Sequence, residues 1–514
     1  MRRLTTLVLL SGIFAGTVYG ADIESVTVAH DSYLESINFS NYIAPKKYAP
    51  VTLSDGYGQL LSESQVGVYK SAALQDFYKQ EVCKGLWGRN CKFTINSIEK
   101  YTGINLDNES SLVGLPYSLI DAYKVSYTTP DMNNNAHPVS GAVLIPETNQ
   151  PLKGVVIFYH FTVLNKNNVP SNFSGDEFHT SKMVAATLAN AGYVVVMPDY
   201  LGEGIDRDKV HPYMLYPQIN ALSGIYMLKL LPQVQPLLRY QLQNNQIPLF
   251  LTGYSEGAGY ALWADKILEE NPRFLANYGF KLTKTVPIEG AYNLSNVTLP
   301  FLMSDTVTPQ VAPYYIQDKR VSAFAKPGLV ANVLNSYAYF NLNQDESAVF
   351  STKFNSCSDC EFDGEKYTVS GLLQSPAKEL SKYKMLYNAA KSAGYNNDND
   401  SLAPLTNQQL LISAAFKDAV AHADIYNWRA TTPISFLTFE YDSVVPRLNT
   451  ETAFAAMSDK GSTSLQITVV PNQNFKVDSY VPFSDDNVDH ASGMKFLLLF
   501  ARNQFAESTT SGGR

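Results

Sequence analysis

The chain has 514 residues, 45% hydrophobic and 17% charged, with 33 Tyr and 26 Phe. This balance suits a large folded protein and excludes collagenous, disordered and coiled-coil chains. The formal net charge is −8, which argues against nucleic acid as a partner, because such a protein needs a basic face to displace phosphate counterions.

Arg2 and Arg3 precede an apolar run over 7–15 and then Val18-Tyr19-Gly20. That is the order of a secretory signal, and the run is too short to cross a bilayer. Residues 1–20 are expected to be a signal peptide, and the mature chain to be secreted or periplasmic without a transmembrane segment. Residues 21–115 form an N-terminal extension in which 66–82 predicts a helix. In an exported chain the four cysteines are expected to be oxidised. Their spacing favours two local clips, Cys83 with Cys91 and Cys357 with Cys360, among the three pairings that four cysteines allow. A redox role for Cys357 and Cys360 is disfavoured, because they do not open a helix after a strand.

From 116 to 304 short strands and helices alternate. Strands over 123–129 and 139–145 flank the polar turn 130–137, and 155–159 is an uninterrupted apolar run that suits a strand covered on both faces. A helix over 181–191 stops at Gly192 before the next buried strand, 193–197. Helix 221–231, strand 249–252, helix 258–270 and strand 285–288 continue the rhythm, which predicts an α/β fold with a mostly parallel sheet and helices on both faces. Residues 305–430 interrupt it and are expected to form a largely helical cap, with helices over 377–393 and 407–421, above the carboxyl ends of the strands where α/β enzymes bind ligands. The polar, turn-like stretch 396–400 lacks the glycine and the closing glutamate of a calcium loop, so no metal is expected there. Strand 434–439, helix 450–457, strand 465–470 and a C-terminal helix from 494 complete the core over 431–505. The tail 506–514 is expected to be disordered.

The chemistry centres on Gly253-Tyr254-Ser255-Glu256-Gly257, between an apolar strand and a helix. On so tight a turn the serine is pushed out of the end of the sheet, and Gly253 and Gly257 remove side chains that would clash. A serine hydroxyl is a poor nucleophile until a base takes its proton, and a carboxylate must orient that base. Two histidines follow Ser255. His490 lies beyond the last strand, where a base can reach the nucleophile from above the sheet, whereas His422 falls in the last turn of a helix and suits its dipole. Asp442 is the favoured acid, just past strand 434–439, with Glu440 as competitor; Asp489 is too close to His490 in sequence to grip its ring. Two backbone donors must stabilise the oxyanion. One is expected from Glu256, the other from Phe161 or Thr162 in the loop after strand 155–159, with His160 bracing that loop.

With these segments in hand the chain resembles secreted α/β-hydrolases of the secretory lipase and esterase type. The resemblance runs from about 123 to 500, outside the insertion. It rests on 139–146, on the Gly192 to Gly204 segment, on His211-Pro212-Tyr213, on the serine motif, on Asn427-Trp428 and on Asp442-Ser443-Val444-Val445-Pro446. It implies an α/β-hydrolase fold with Ser255 as nucleophile, Asp442 as acid and His490 as base, acting on a small-molecule or lipid ester without metal or cofactor. Phe161 stands where such enzymes usually carry glycine after the histidine, and Thr438-Phe439 replaces their usual His-Gly before the acid. The competing readings are a non-catalytic, hydrolase-like binding or adhesion protein, and the same triad used for acyl transfer or amide cleavage.

Overall fold

The computed structural model describes residues 50–108, 112, 119–147, 151–174, 179–235, 246–303, 319–342, 413–442, 444–477 and 488–510. The expected signal peptide, the Cys357 and Cys360 pair, the 377–393 helix and the polar stretch 396–400 lie outside them.

Nine strands form one sheet: β1 (Leu60–Lys70), β2 (Leu119–Pro130), β3 (Ala136–Glu147), β4 (Gly154–Tyr159), β5 (Tyr193–Pro198), β6 (Ile247–Tyr254), β7 (Phe280–Ile288), β8 (Ile434–Phe439) and β9 (Leu465–Val470). Their spatial order is β1-β2-β3-β5-β4-β6-β7-β8-β9. The first three pair antiparallel, β3 meets β5 antiparallel, and every pairing from β5 to β9 is parallel. The parallel strands β4, β5 and β8 are buried at every residue, as a strand covered by helices on both faces must be. Side-chain alternation divides the core in two. Val155, Ile157, Tyr159, Leu249 and Leu251 face one layer, while Val156, Phe158, Val195, Phe250 and Leu437 face the other.

The first layer is closed by α4 (Pro217–Met227), α5 (Glu256–Glu270) and α8 (Leu448–Asp459), the second by α1 (Ser71–Cys83), α2 (Gly88–Thr102), α3 (Thr180–Thr187) and α9 (His490–Thr510). Between β7 and β8 lie α6 (Lys319–Asn341) and α7 (Ala414–Ala421), the latter capped by Ser413 Oγ accepting from the Phe416 amide. This is the α/β-hydrolase fold. The chain runs from β4 outward to β5 and then returns to β6 on the other side, so the loops leaving β4 and β6 part and open a crevice at their carboxyl ends.

Three expectations change. Instead of a helix from 66, Gln65 pairs with Tyr123 and Val68 with Asp121, and the chain turns helical only at Ser71. The C-terminal helix begins at His490 rather than 494, and it continues to Thr510, so 506–510 are helical rather than disordered. Cys83 and Cys91 are joined, which ties α1 to the start of α2. Among the described residues no helix is long and apolar enough to cross a membrane.

Candidate active site

The apolar run of β6 ends at Tyr254, and Ser255 follows at φ 58° and ψ −119°, a left-handed conformation rarely tolerated outside glycine. The turn is held by the Ser255 amide donating to the Ile288 carbonyl at 2.9 Å. A Cβ on Gly253 would lie 2.3 Å from the Gly257 carbonyl oxygen, and one on Gly257 would lie 2.2 Å from that of Tyr159 and 2.4 Å from that of His160. Both glycines are therefore required for the strand-to-helix turn to close against the loop after β4.

His490, the first residue of α9, brings its Nε2 to 2.8 Å from Ser255 Oγ. Its Nδ1 lies 2.5 Å from Asp442 Oδ2. Asp442 is in turn fixed through Oδ1, which accepts from the amides of Val444 at 2.7 Å and Val445 at 2.6 Å. The Tyr254 hydroxyl donates to the His490 carbonyl at 2.7 Å and thereby ties the imidazole's helix to the strand that carries the serine. Burial opposes the imidazolium, but the Asp442 carboxylate outweighs it and raises the His490 pKa; burial likewise penalises ionised Asp442, and His490 reverses that penalty and lowers it. Glu440 anchors the next strand instead, its amide donating to Val470. Asp489 Oδ1 accepts from the His490 amide, and His422 Nδ1 lies 2.7 Å from the Asp418 carbonyl at the end of α7.

On the opposite side of Ser255, Glu256 opens α5, where the first amides of a helix lack partners within it. The loop from β4 lies against this turn: Tyr200 donates to the His160 carbonyl at 2.8 Å, and Thr162 Oγ1 donates to Glu256 Oε2 at 2.9 Å. His160 Nδ1 lies 2.7 Å from the Phe161 carbonyl and its Nε2 3.2 Å from Glu203 Oε2, so the ring spans the loop and a buried acid.

The carboxylate of Glu256 takes a partner that the local sequence does not name. Its cation is His211, whose Nε2 lies 2.9 Å from Glu256 Oε1, while Tyr260 also donates to that oxygen. Burial disfavours a charged His211, yet Glu203 and Glu256 together lift its pKa to about 9. His211 thus sets its charge against the Glu256 carboxyl behind Ser255. Glu203 and His211 stand within the segments that carried the family resemblance, but no local pattern says that they meet.

Glu289 was also missed. It follows the last residue of β7, is 1% exposed, and places its carboxyl against Asp442, Thr438 and the Phe439 amide. The signal available was an acidic residue at the carboxyl end of a buried parallel strand.

No family model and no curated protein matches the sequence. Solved structures do. A protein of Legionella pneumophila described provisionally as a hydrolase aligns over 89% of this chain and 99% of its own, with TM-score 0.62 and 18% identity. The rice cell wall degrading esterase LipA from Xanthomonas oryzae, in a ligand-bound form, aligns over 88% and 99%, with TM-score 0.60 and 18% identity. Candida antarctica lipase A aligns over 88% and 82%, with TM-score 0.52 and 13% identity. At such identities the likeness establishes the fold.

Proposed function

We propose that this protein is an exported serine hydrolase that cleaves carboxylic esters through Ser255, His490 and Asp442. The observation that carries this reading is the continuous hydrogen-bonded line from Ser255 Oγ through both imidazole nitrogens to Asp442, at 2.8 and 2.5 Å. Ser255 Oγ attacks the acyl carbon as His490 Nε2 takes its proton, and Asp442 stabilises the imidazolium that forms. The Glu256 amide and one from Phe161 or Thr162 receive the oxyanion, aided by the N-terminus of α5. The protonated imidazole then delivers its proton to the leaving alcohol. Water, deprotonated by the same base, releases the acid from the acyl-enzyme.

Esterases and a lipase among the structural neighbours support the choice of ester over amide, and the Cys83 to Cys91 bridge supports export. The described α6 and α7, which leave the core between β7 and β8, are assigned to a cap, and Ser336 of α6 accepts from the Tyr213 amide at 2.9 Å. A fluorophosphonate probe should label wild type at Ser255 alone, and the protein should hydrolyse p-nitrophenyl esters. Labelling that persists in Ser255→Ala, or complete inertness of folded wild type towards both probe and esters, would overturn the assignment.

A further inference from the structure

Glu289 stands in a position that costs the fold something. Its φ is 53°, its amide is committed to the Leu437 carbonyl at 3.0 Å, and its side chain is sealed under the site. One carboxyl oxygen accepts from the Phe439 amide and the other from Thr438 Oγ1 at 3.3 Å. These are the two residues that replace the usual His-Gly before the acid, so the substitution in β8 and the carboxyl from β7 complement each other. The carboxyl also lies against that of Asp442, and one ligand-type atom from each of Glu289, Asp442 and His490 falls within 4.8 Å of the others. A shared metal ion does not explain the cluster. Atoms bound about 2 Å from one ion sit about 3 Å or more apart, whereas Asp442 Oδ2 and His490 Nδ1 are already 2.5 Å from each other.

Two buried carboxylates in contact do not both stay ionised. Asp442 has the imidazole and two amides to hold its charge. Among the described residues Glu289 has only the Phe439 amide and the Thr438 hydroxyl to hold a charge, and burial together with Asp442 drives its pKa well above the ordinary range. We propose that Glu289 is a positioning residue of the ester hydrolase described above, a neutral carboxylic acid whose O–H donates to Asp442 and holds that carboxylate against His490. The donated hydrogen bond spreads the Asp442 charge and tempers its pull on the imidazole proton, so His490 becomes a free base at lower pH than with a lone aspartate. At high pH ionisation of Glu289 would place a second negative charge against Asp442 and break the alignment. Besides Asp442 and His490, the titratable groups facing it are Tyr254 and Tyr292, and both tyrosines are held neutral by burial.

The test compares wild type, Glu289→Gln and Glu289→Ala as full chains. In the infrared, wild type at neutral pH should show a protonated carboxyl band that Glu289→Gln lacks. The glutamine amide can donate to Asp442 while its oxygen accepts from Phe439, so this variant should recover most of the turnover, to within about threefold, and lose the alkaline decline. Glu289→Ala should lower kcat about tenfold or more with KM little changed, and move the acid limb to higher pH. The His490 titration followed by NMR should move the same way. If the alanine variant fails to fold, the infrared comparison decides. Absence of the band, or an alanine variant whose pH profile keeps the wild-type shape at reduced height, overturns the proposal. Failure of wild type to take the fluorophosphonate overturns the ester-hydrolase reading instead, and the infrared result still decides where the proton resides.

Discussion

Replacing His211 by Asn removes the cation that faces Glu203 and Glu256. Because its pKa is raised from 6.5 to about 9, the folded state holds this proton more tightly than the unfolded chain. The stabilisation is fully present below the unfolded pKa and is lost as pH rises through about 9. At about 1.4 kcal/mol per pKa unit, the linkage is worth about 3 kcal/mol at pH 6 and falls towards zero near pH 9.5, in the range seen when one partner of a buried pair is removed. Urea denaturation of wild type and His211→Asn at pH 6, 7.5 and 9.5 measures it. The two midpoints should be far apart at pH 6 and converge at pH 9.5. On the proposed mechanism turnover of the variant should also fall at pH 7, since the Glu256 carboxyl would lose the cation behind the oxyanion site. A gap between the curves that stays constant with pH would refute the reasoning, because a purely steric role for His211 carries no proton.

Gly257→Ala should cost about 1–3 kcal/mol of stability through overpacking. It should also cost about a hundredfold in kcat, because the new Cβ must push the Tyr159 and His160 carbonyls off the nucleophile turn; burst kinetics and thermal melting separate the two effects. Opening the Cys83 to Cys91 bridge with paired serines releases a loop of sequence separation 8 and should lower stability by about 2 kcal/mol with kcat unchanged, as read from denaturation and ester turnover. Asp424 is buried, and burial raises its pKa to about 7 despite the hydrogen bonds from Ser295. The folded state therefore binds the extra proton, and stability falls as pH rises from about 4 to about 7, by about 4 kcal/mol. Asp424→Asn should flatten that slope in denaturation midpoints measured at pH 4.5 and 7.5.

The buried parallel strands were legible because burial on both faces leaves a continuous apolar run, as in Val155-Val156-Ile157-Phe158-Tyr159. β1 was not, because an edge strand with exposed Leu61, Val66 and Val68 has neither such a run nor clean alternation. A start near 494 for the last helix was a similar error of one turn, and it moved His490 from a loop to the head of a helix.

By itself the sequence determined the α/β alternation, the serine turn with its two obligatory glycines, and which residues were chemically able to serve as base and acid. Those features are local: they depend on the period of apolar residues, on backbone sterics and on residue type. Only the tertiary structure decided the rest, including the neighbours of each strand, the 2.8 Å approach of His490 to Ser255, the pairing of His211 with Glu256 and the burial of Glu289 against Asp442. Such contacts join positions far apart in the chain, and a charge buried among them takes its state from partners that the packing of the sheet brings together.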